Sequence, residues 1–445
     1  LKNDTNYTRL PKLIFLYLIF ISFYGTIAIF VDNPIFKLSK DVILILIGMY
    51  YLFKSFLRKK IENRTFIIIA FLLLMVCISI LNLINPTMGY GVTDFAYGIK
   101  TTIFPMIGLL LGMFLKQSKM NFVKPLYIVF FLIIITWVLQ RIVGLDTLMS
   151  MGFEYAVNVK TFNDNLRLPS LVGTPDAYAF LLSLTGILIE WDLRDKNKKG
   201  LANIFRIITL VFLLLATIRS AIIFWLVYQI VAYLKSFFQI PIRKAYITIG
   251  AIMFLLLPIM FGGYYLLSNT TLGSSSSTQD RLSHWGDNLA PLFSHEGIYG
   301  KGIGSVGAAS VSTAELSSTK SSYAVDNQFF AIYEQLGIMG VITLFLIFSL
   351  IIRGCFLANK NNYINNGNAL IVALTFSSTF TNCLELYPFN VFLWIQLGIS
   401  YRMSYPIYEV SSQVKQSKKR KKIFRIKLFE TPDQRIKRKL QTGKL

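Results

Sequence analysis

Histidine is scarce in this chain: His284 and His295 are the two present in 445 residues, which excludes a histidine-rich metal centre. Cysteine is nearly as rare. Cys77, Cys355 and Cys383 fall in or beside apolar segments with no C-x-x-C spacing, so neither a disulfide scaffold nor a zinc site is indicated. No D-x-D pair of the kind that holds a divalent cation on a sugar diphosphate is present, so phosphate chemistry here must lean on arginine. Charge is the third shortage: 15% of residues are charged and 54% are hydrophobic, whereas charged residues make up about a quarter of soluble proteins.

What the chain has is apolar length. Mean hydropathy is +0.56, and runs of about 20 residues suffice to cross a hydrocarbon core of about 30 Å. Such runs lie near 13 to 31, 41 to 57, 66 to 84, 99 to 115, 122 to 140, 171 to 190, 204 to 218, 220 to 236, 245 to 267, 331 to 352, 368 to 385 and 387 to 405. The expected fold is therefore an all-α polytopic membrane protein of about twelve transmembrane helices. Residues 1 to 405 read as one membrane domain with a large polar loop at 268 to 325, followed by a basic tail at 406 to 445. The run at 13 to 31 sits where a signal peptide would, but it is too long for an h-region and lacks a small-x-small cleavage site, so it reads as a retained helix.

Net charge is +23, a value that can signal nucleic acid, yet the basic residues follow the positive-inside pattern instead. Lys54, Arg58, Lys59, Lys60 and Arg64 follow the second run, Lys116, Lys119 and Lys124 the fourth, and Arg194, Lys196, Lys198 and Lys199 the sixth. Lys235, Arg243 and Lys244 follow the eighth. Alternate loops, the large one included, are poorer in Lys and Arg. Both termini are thus expected in the cytoplasm and the large loop outside. The tail carries KKRKK at 418 to 422 and KRK at 437 to 439; each such cation contributes about 1 kcal/mol near an anionic leaflet, which makes anionic lipid its expected partner.

Chemistry-bearing residues gather on the outer side. Arg219 breaks the short seventh and eighth runs in ATIRSAIIFW, a costly place for a guanidinium without a role. Arg281 opens a short loop helix that puts His284 and Trp285 on its own face. Glycines at 297, 300, 302, 304 and 307 suit a flexible loop and let backbone N–H groups approach an anion. Residues 302 to 307 also satisfy G-x-G-x-x-G, but no strand precedes them, so a dinucleotide site is rejected. Asp326 precedes the aromatic helix DNQFFAIYEQLGIMG as its expected N-cap, and its carboxylate is also a candidate base. Asn327 follows it, and Glu334 falls on the same face. Arg167 brings a further cation to the entrance of the sixth run.

Arg167 with Gly173, Pro175, Asp176 and Ala179, then Ile218, Arg219 and Ser220, then Arg281 and Trp285, the glycine-rich segment, Asp326–Asn327, and Glu334, Gly337 and Gly340 follow one another in an order that resembles the O-antigen polymerase and O-antigen ligase family, the Wzy/WaaL-type membrane glycosyltransferases. The patterns cover about residues 165 to 345; many relatives have His where Asp326 stands. The resemblance implies a GT-C-like architecture, a metal-independent glycosyltransferase without cofactor, and polyprenyl-diphosphate-linked oligosaccharides as substrates. It implies Asp326, Arg219 and Arg281 as catalytic residues, with Arg167, His284, Trp285, Asn327 and Glu334 contacting substrate. The Ile-, Lys-, Asn- and Phe-rich composition suits a bacterium with an AT-rich genome. Polymerisation of undecaprenyl-diphosphate-linked repeat units into capsule, exopolysaccharide or O-antigen is the preferred reading, with a chain-length regulator and a flippase as pathway partners. The alternatives are a ligase acting on a lipid, protein or wall acceptor, and a polysaccharide transporter, although the internal repeats of a transporter are not evident.

This topology predicts that cysteines placed at Ser275 and Ser318 react with an impermeant thiol reagent in intact cells and that one at Lys198 does not. The reverse labelling pattern would contradict it.

Overall fold

The computed structural model describes residues 12–31, 33–57, 63–84, 91–117, 122–162, 165–237, 293–310, 325–357 and 362–403. The expected span at 245 to 267, the tail at 406 to 445, and Arg281, His284 and Trp285 lie outside the described residues. Helices stand at the other expected spans: α1 Lys12–Phe30, α2 Pro34–Leu57, α3 Asn63–Ile84, α4 Val92–Gly98 continuing into α5 Ile107–Gln117, and α6 Val123–Val143. After the short α7 Leu145–Ser150 come α8 Pro175–Asp195, α9 Lys199–Ala216, α10 Arg219–Phe237, the one-turn α11 His295–Tyr299, α12 Gln328–Leu357, α13 Asn362–Ser378 and α14 Phe389–Met403.

Among the described residues six helices are long and apolar enough to cross a membrane: Lys12–Phe30, Thr65–Ile84, Val92–Leu115, Val123–Val143, Lys199–Ala216 and Gln328–Ile352. The others carry charge or are short, and two of them form the axis of the bundle. Helix α8 is buried along nearly its whole length, and α14 is buried from Phe389 to Tyr401. Large apolar side chains such as Leu46, Leu73, Ile135, Ile207 and Ile230 are exposed on the outer helices. A surface of that kind belongs against lipid, and the chain is an integral membrane protein.

Because lipid tails are as apolar as leucine, close backbone approach must hold such helices together. Helices α5 and α14 meet this way. A Cβ on Gly112 would lie 2.0 Å from the Ile395 carbonyl oxygen, and one on Gly398 would lie 2.1 Å from that of Leu109. One end of the bundle is stapled by polar side chains. Glu190 accepts from Arg194 Nε at 3.0 Å and from Gln229 Nε2 at 2.8 Å, and Arg206 donates to Gln229. Asp192 accepts from Lys196 at 2.6 Å and from Tyr127 at 3.1 Å. These bonds tie α6, α8, α9 and α10 while satisfying buried carboxylates.

Three sequence expectations change. The fold is not purely helical: β1 Lys160–Phe162 and β2 Asn165–Arg167 pair antiparallel, a ribbon too short to register in a hydropathy reading. The span expected at 368 to 385 ends at Ser378, and residues 379 to 388 form a connector with a single 3₁₀ turn, Cys383–Glu385, before α14. The glycine-rich segment, expected to be a flexible loop, is buried at Gly300, Gly302, Gly304 and Gly307, and each of these residues has positive φ.

That segment docks because α12 is broken. Gly337 has φ 64° and ψ −168°, so the carbonyls of Glu334 and Gln335 lose helical partners and accept instead from the amides of Lys301 at 2.6 Å and Gly302 at 3.1 Å. Contact is close enough that a Cβ on Gly300 would sit 2.4 Å from the Gln335 carbonyl, and one on Gly337 would sit 2.2 Å from that of Ile298. On its other side the segment meets the α4–α5 run, where a Cβ on Gly98 would lie 2.4 Å from the Ile303 carbonyl. That run passes through a π-helical segment, Ile99–Ile103, just before Pro105, the local widening that relieves a proline inside a helix.

Gly337→Ala is expected to destabilise the protein by about 1–3 kcal/mol, since only glycine adopts this backbone conformation without strain. Thermal unfolding of the detergent-purified full chain measures it. An unchanged midpoint would contradict the docking described.

Candidate functional site

The end of the bundle that receives residues 295–310 also holds Arg167, Arg219, Asp326, Asn327 and Glu334 of the site residues expected from sequence. Helix α9 ends at Thr217 with φ 56° in the left-handed region, and α10 begins two residues later at Arg219. The terminal carbonyls of α9 need donors. Arg167, delivered by β2, supplies one for the cap residue: its Nη2 donates to the Thr217 carbonyl at 2.9 Å and its Nε to Thr217 Oγ1 at 3.0 Å. Burial lowers the Arg167 pKa, Arg219 lowers it further, and Asp176 opposes both. The two arginines are therefore near neighbours. Lys160, across the ribbon from Arg167, lies 3.7 Å from Asp176 in the first turn of α8.

Arg219 is exposed and is the first residue of α10. The N-terminus of a helix carries about half a positive charge, so a cation there is disfavoured and an anion is stabilised. An anion at this position would meet the helix end, the Arg219 fork and the field of Arg167 together.

The start of α12 corrects one assignment. Asn327, not Asp326, caps the helix: its Oδ1 accepts from the amides of Phe329 at 3.0 Å and Phe330 at 3.2 Å. Asn327 is fully buried, so the substrate contact expected of it is not available to its capping oxygen. Asp326 is half-buried just outside the cap. Glu334 pairs with Lys301 at 3.1 Å, which joins α12 to the glycine-rich segment rather than to Asp326.

Two residues that the sequence reading missed organise this end. Gln335 is buried and bonded on both sides of its amide: Oε1 accepts from the Gly304 amide at 3.2 Å and from Thr102 at 3.4 Å, while Nε2 donates to the Val306 carbonyl at 3.1 Å and to Glu385 Oε1 at 3.3 Å. Glu385 in the α13–α14 connector accepts from the Ala308 amide at 2.7 Å. Burial pushes its carboxyl up to about 6, with the bonds from Ala308 and Gln335 opposing. The signal available in sequence was a lone glutamate in NCLELYPF, hidden because it fell at the end of an apolar run.

The connector ties the two halves of the site. Ser377 donates to the Ser220 carbonyl at 3.1 Å, setting the end of α13 against Arg219's helix. The Leu384 amide donates to Gln328 Oε1 at 2.8 Å, setting Glu385 beside the start of α12. Asp176 acts on the neighbouring Cys383 thiol, which burial raises first. Beyond Glu385, Lys40 pairs with Asp41 at 3.1 Å and lies 3.5 Å above the Tyr387 ring, pinning the connector to α2. Arg167, Arg219, Asp326 and Glu385 thus share one end of the bundle. Among the described residues no cluster of His, Cys, Asp and Glu could hold a metal ion.

No family model matches the sequence. The chain is similar to the ComP-specific O-oligosaccharyltransferase of Acinetobacter baylyi (strain ATCC 33305 / BD413 / ADP1), 25% identical over 320 residues, which are 67% of this chain and 54% of that protein. It spans about half the length of this curated relative. The similarity supports an O-antigen ligase/polymerase-like family.

Arg167→Ala is expected to lower stability by about 1–3 kcal/mol, because both Thr217 acceptors lose a charged donor. Arg167→Lys should recover little of it, since an ammonium has no fork to span them. Thermal unfolding of the purified variants tests this, and wild-type stability of the Ala variant would refute the capping role.

Proposed function

We propose that this chain, like the O-antigen ligase and polymerase family it resembles, is a membrane glycosyltransferase that moves an oligosaccharide from a polyprenyl diphosphate carrier to an acceptor. The placement of Arg219 at the N-terminus of α10 beside Arg167 carries this reading. Departure of a diphosphate concentrates negative charge on its bridging oxygen, and fixed donors aimed at that charge stabilise the transition state. The lipid tail would lie against the apolar outer helices, and the loop-bearing end would face outside the bacterial cytoplasmic membrane, with both termini in the cytoplasm. An acceptor hydroxyl attacks the anomeric carbon, the bond to the diphosphate breaks, and the configuration inverts.

Layout and composition favour polymerisation of repeat units, but neither speaks to the acceptor. The relative's name, an oligosaccharyltransferase, favours the ligase-type alternative, with glycan passed to an acceptor other than a growing chain. Both readings use the same arginines.

Arg219→Ala is expected to reduce transfer about a hundredfold or more at normal protein level and membrane insertion, and Lys should rescue poorly. In cells that make their own lipid-linked oligosaccharide, immunoblots for acceptor-linked glycan and gels for free polymer ladders read the two products separately. Loss of acceptor-linked glycan supports the ligase-type reading, loss of the ladder alone supports polymerisation, and unchanged levels of both would remove Arg219 from the reaction.

A further inference from the structure

We propose that Glu385 is the proton acceptor of the transfer, a catalytic role that rests on the reading above. Its carboxylate is held from two sides, by the Ala308 amide at 2.7 Å and by Gln335 Nε2 at 3.3 Å. Gln335 is in turn fixed by Gly304, Val306 and Thr102, so the carboxylate has little freedom to reorient. It rests on the backbone of Gly307, where a Cβ would come within 2.5 Å of Oε2. Each oxygen keeps a second lone pair, and the residue is partly exposed. The ties through Ser377 to Ser220 and through Leu384 to Gln328 place it between the arginine side of the site and the start of α12.

A carboxyl near 6 is ionised at neutral pH and more basic than an ordinary glutamate, which suits general-base work. Burial is the cause. The titratable groups on elements around it are Lys100 on the π segment, Glu334 on α12 with its partner Lys301, Asp326 before α12, Asp176 on α8 and Tyr387 on its own connector. In the step, the acceptor O–H proton passes to a Glu385 oxygen as the acceptor oxygen bonds to the anomeric carbon. The bond from that carbon to the diphosphate breaks, and its electron pair leaves with the polyprenyl diphosphate beside Arg219. The protonated Glu385 then returns the proton to water.

The test uses full-length protein in membranes that hold the cell's own lipid-linked oligosaccharide, with transfer rates measured from pH 5 to 8. A base must be deprotonated, so the wild-type rate should rise through about pH 6. Glu385→Gln should lower the rate about a hundredfold and abolish that limb, and Glu385→Asp, with its carboxylate drawn back, should lose at least about tenfold yet keep the limb. Asp326→Asn, whatever its rate, should keep the limb. If Glu385→Gln fails to fold by thermal unfolding, Glu385→Asp decides: a rate within about twofold of wild type would overturn the proposal, since a displaced base cannot work unimpaired. Wild-type rate and limb in Glu385→Gln, with Arg219→Ala inactive, would leave Glu385 as a clamp on the glycine-rich segment. Loss of the limb in Asp326→Asn alone would assign the proton to Asp326 and overturn the proposal. Normal transfer in Arg219→Ala as well would instead sink the glycosyltransfer reading itself.

Discussion

Helix carbonyls released from their own ladder bind whatever amide lies opposite, and the rest of the site depends on this at Gly337. Its non-helical backbone turns the carbonyls of Glu334 and Gln335 outward. The glycine-rich segment pairs with them, and the Gln335 side chain then fastens the same segment and the Glu385 carboxylate. Each bond contributes about 0.5–1.5 kcal/mol net, and leaving any of these buried groups unpaired would cost more. The glycines serve close approach. At Gly300 and Gly337 a side chain would displace backbone.

The two cations on the opposite side of the site have different tasks. Arg167 is spent largely on the end of α9, where Thr217 leaves its carbonyl unpaired by the helix. Arg219 stands at a helix N-terminus, where its own charge is opposed by the dipole. An arginine in that position is stabilised by an anion, which is the role proposed for it toward a departing diphosphate. In that proposal structural and chemical roles are divided between neighbours.

Hydropathy made most of the helices legible because a bilayer requires long apolar runs, and α1, α3, α6, α9 and α12 satisfy that requirement within their own residues. The axial helices α8 and α14 were found for the same reason, yet they are wrapped by protein. Arg219 is singled out in the sequence because a guanidinium beside an apolar helix is expensive, and Arg167 because it brings a cation to the entrance of α8. Glu385 was not, since a single carboxylate at the end of an apolar run looks like a helix terminus. The cap was misassigned between Asp326 and Asn327 because both residue types cap well and only the path of the backbone distinguishes them.

Taken alone, the sequence determined that this is a helical membrane protein and where most of its described helices lie. Those properties follow from local composition measured against the bilayer. The tertiary structure decided that the glycine-rich segment is packed rather than loose, that Arg167 caps the turn before Arg219, and that Gln335 and Glu385 meet from opposite sides of that segment, 50 residues apart in the chain. Such pairings depend on which backbone groups are left without partners once the helices are packed, a quantity that no single segment contains.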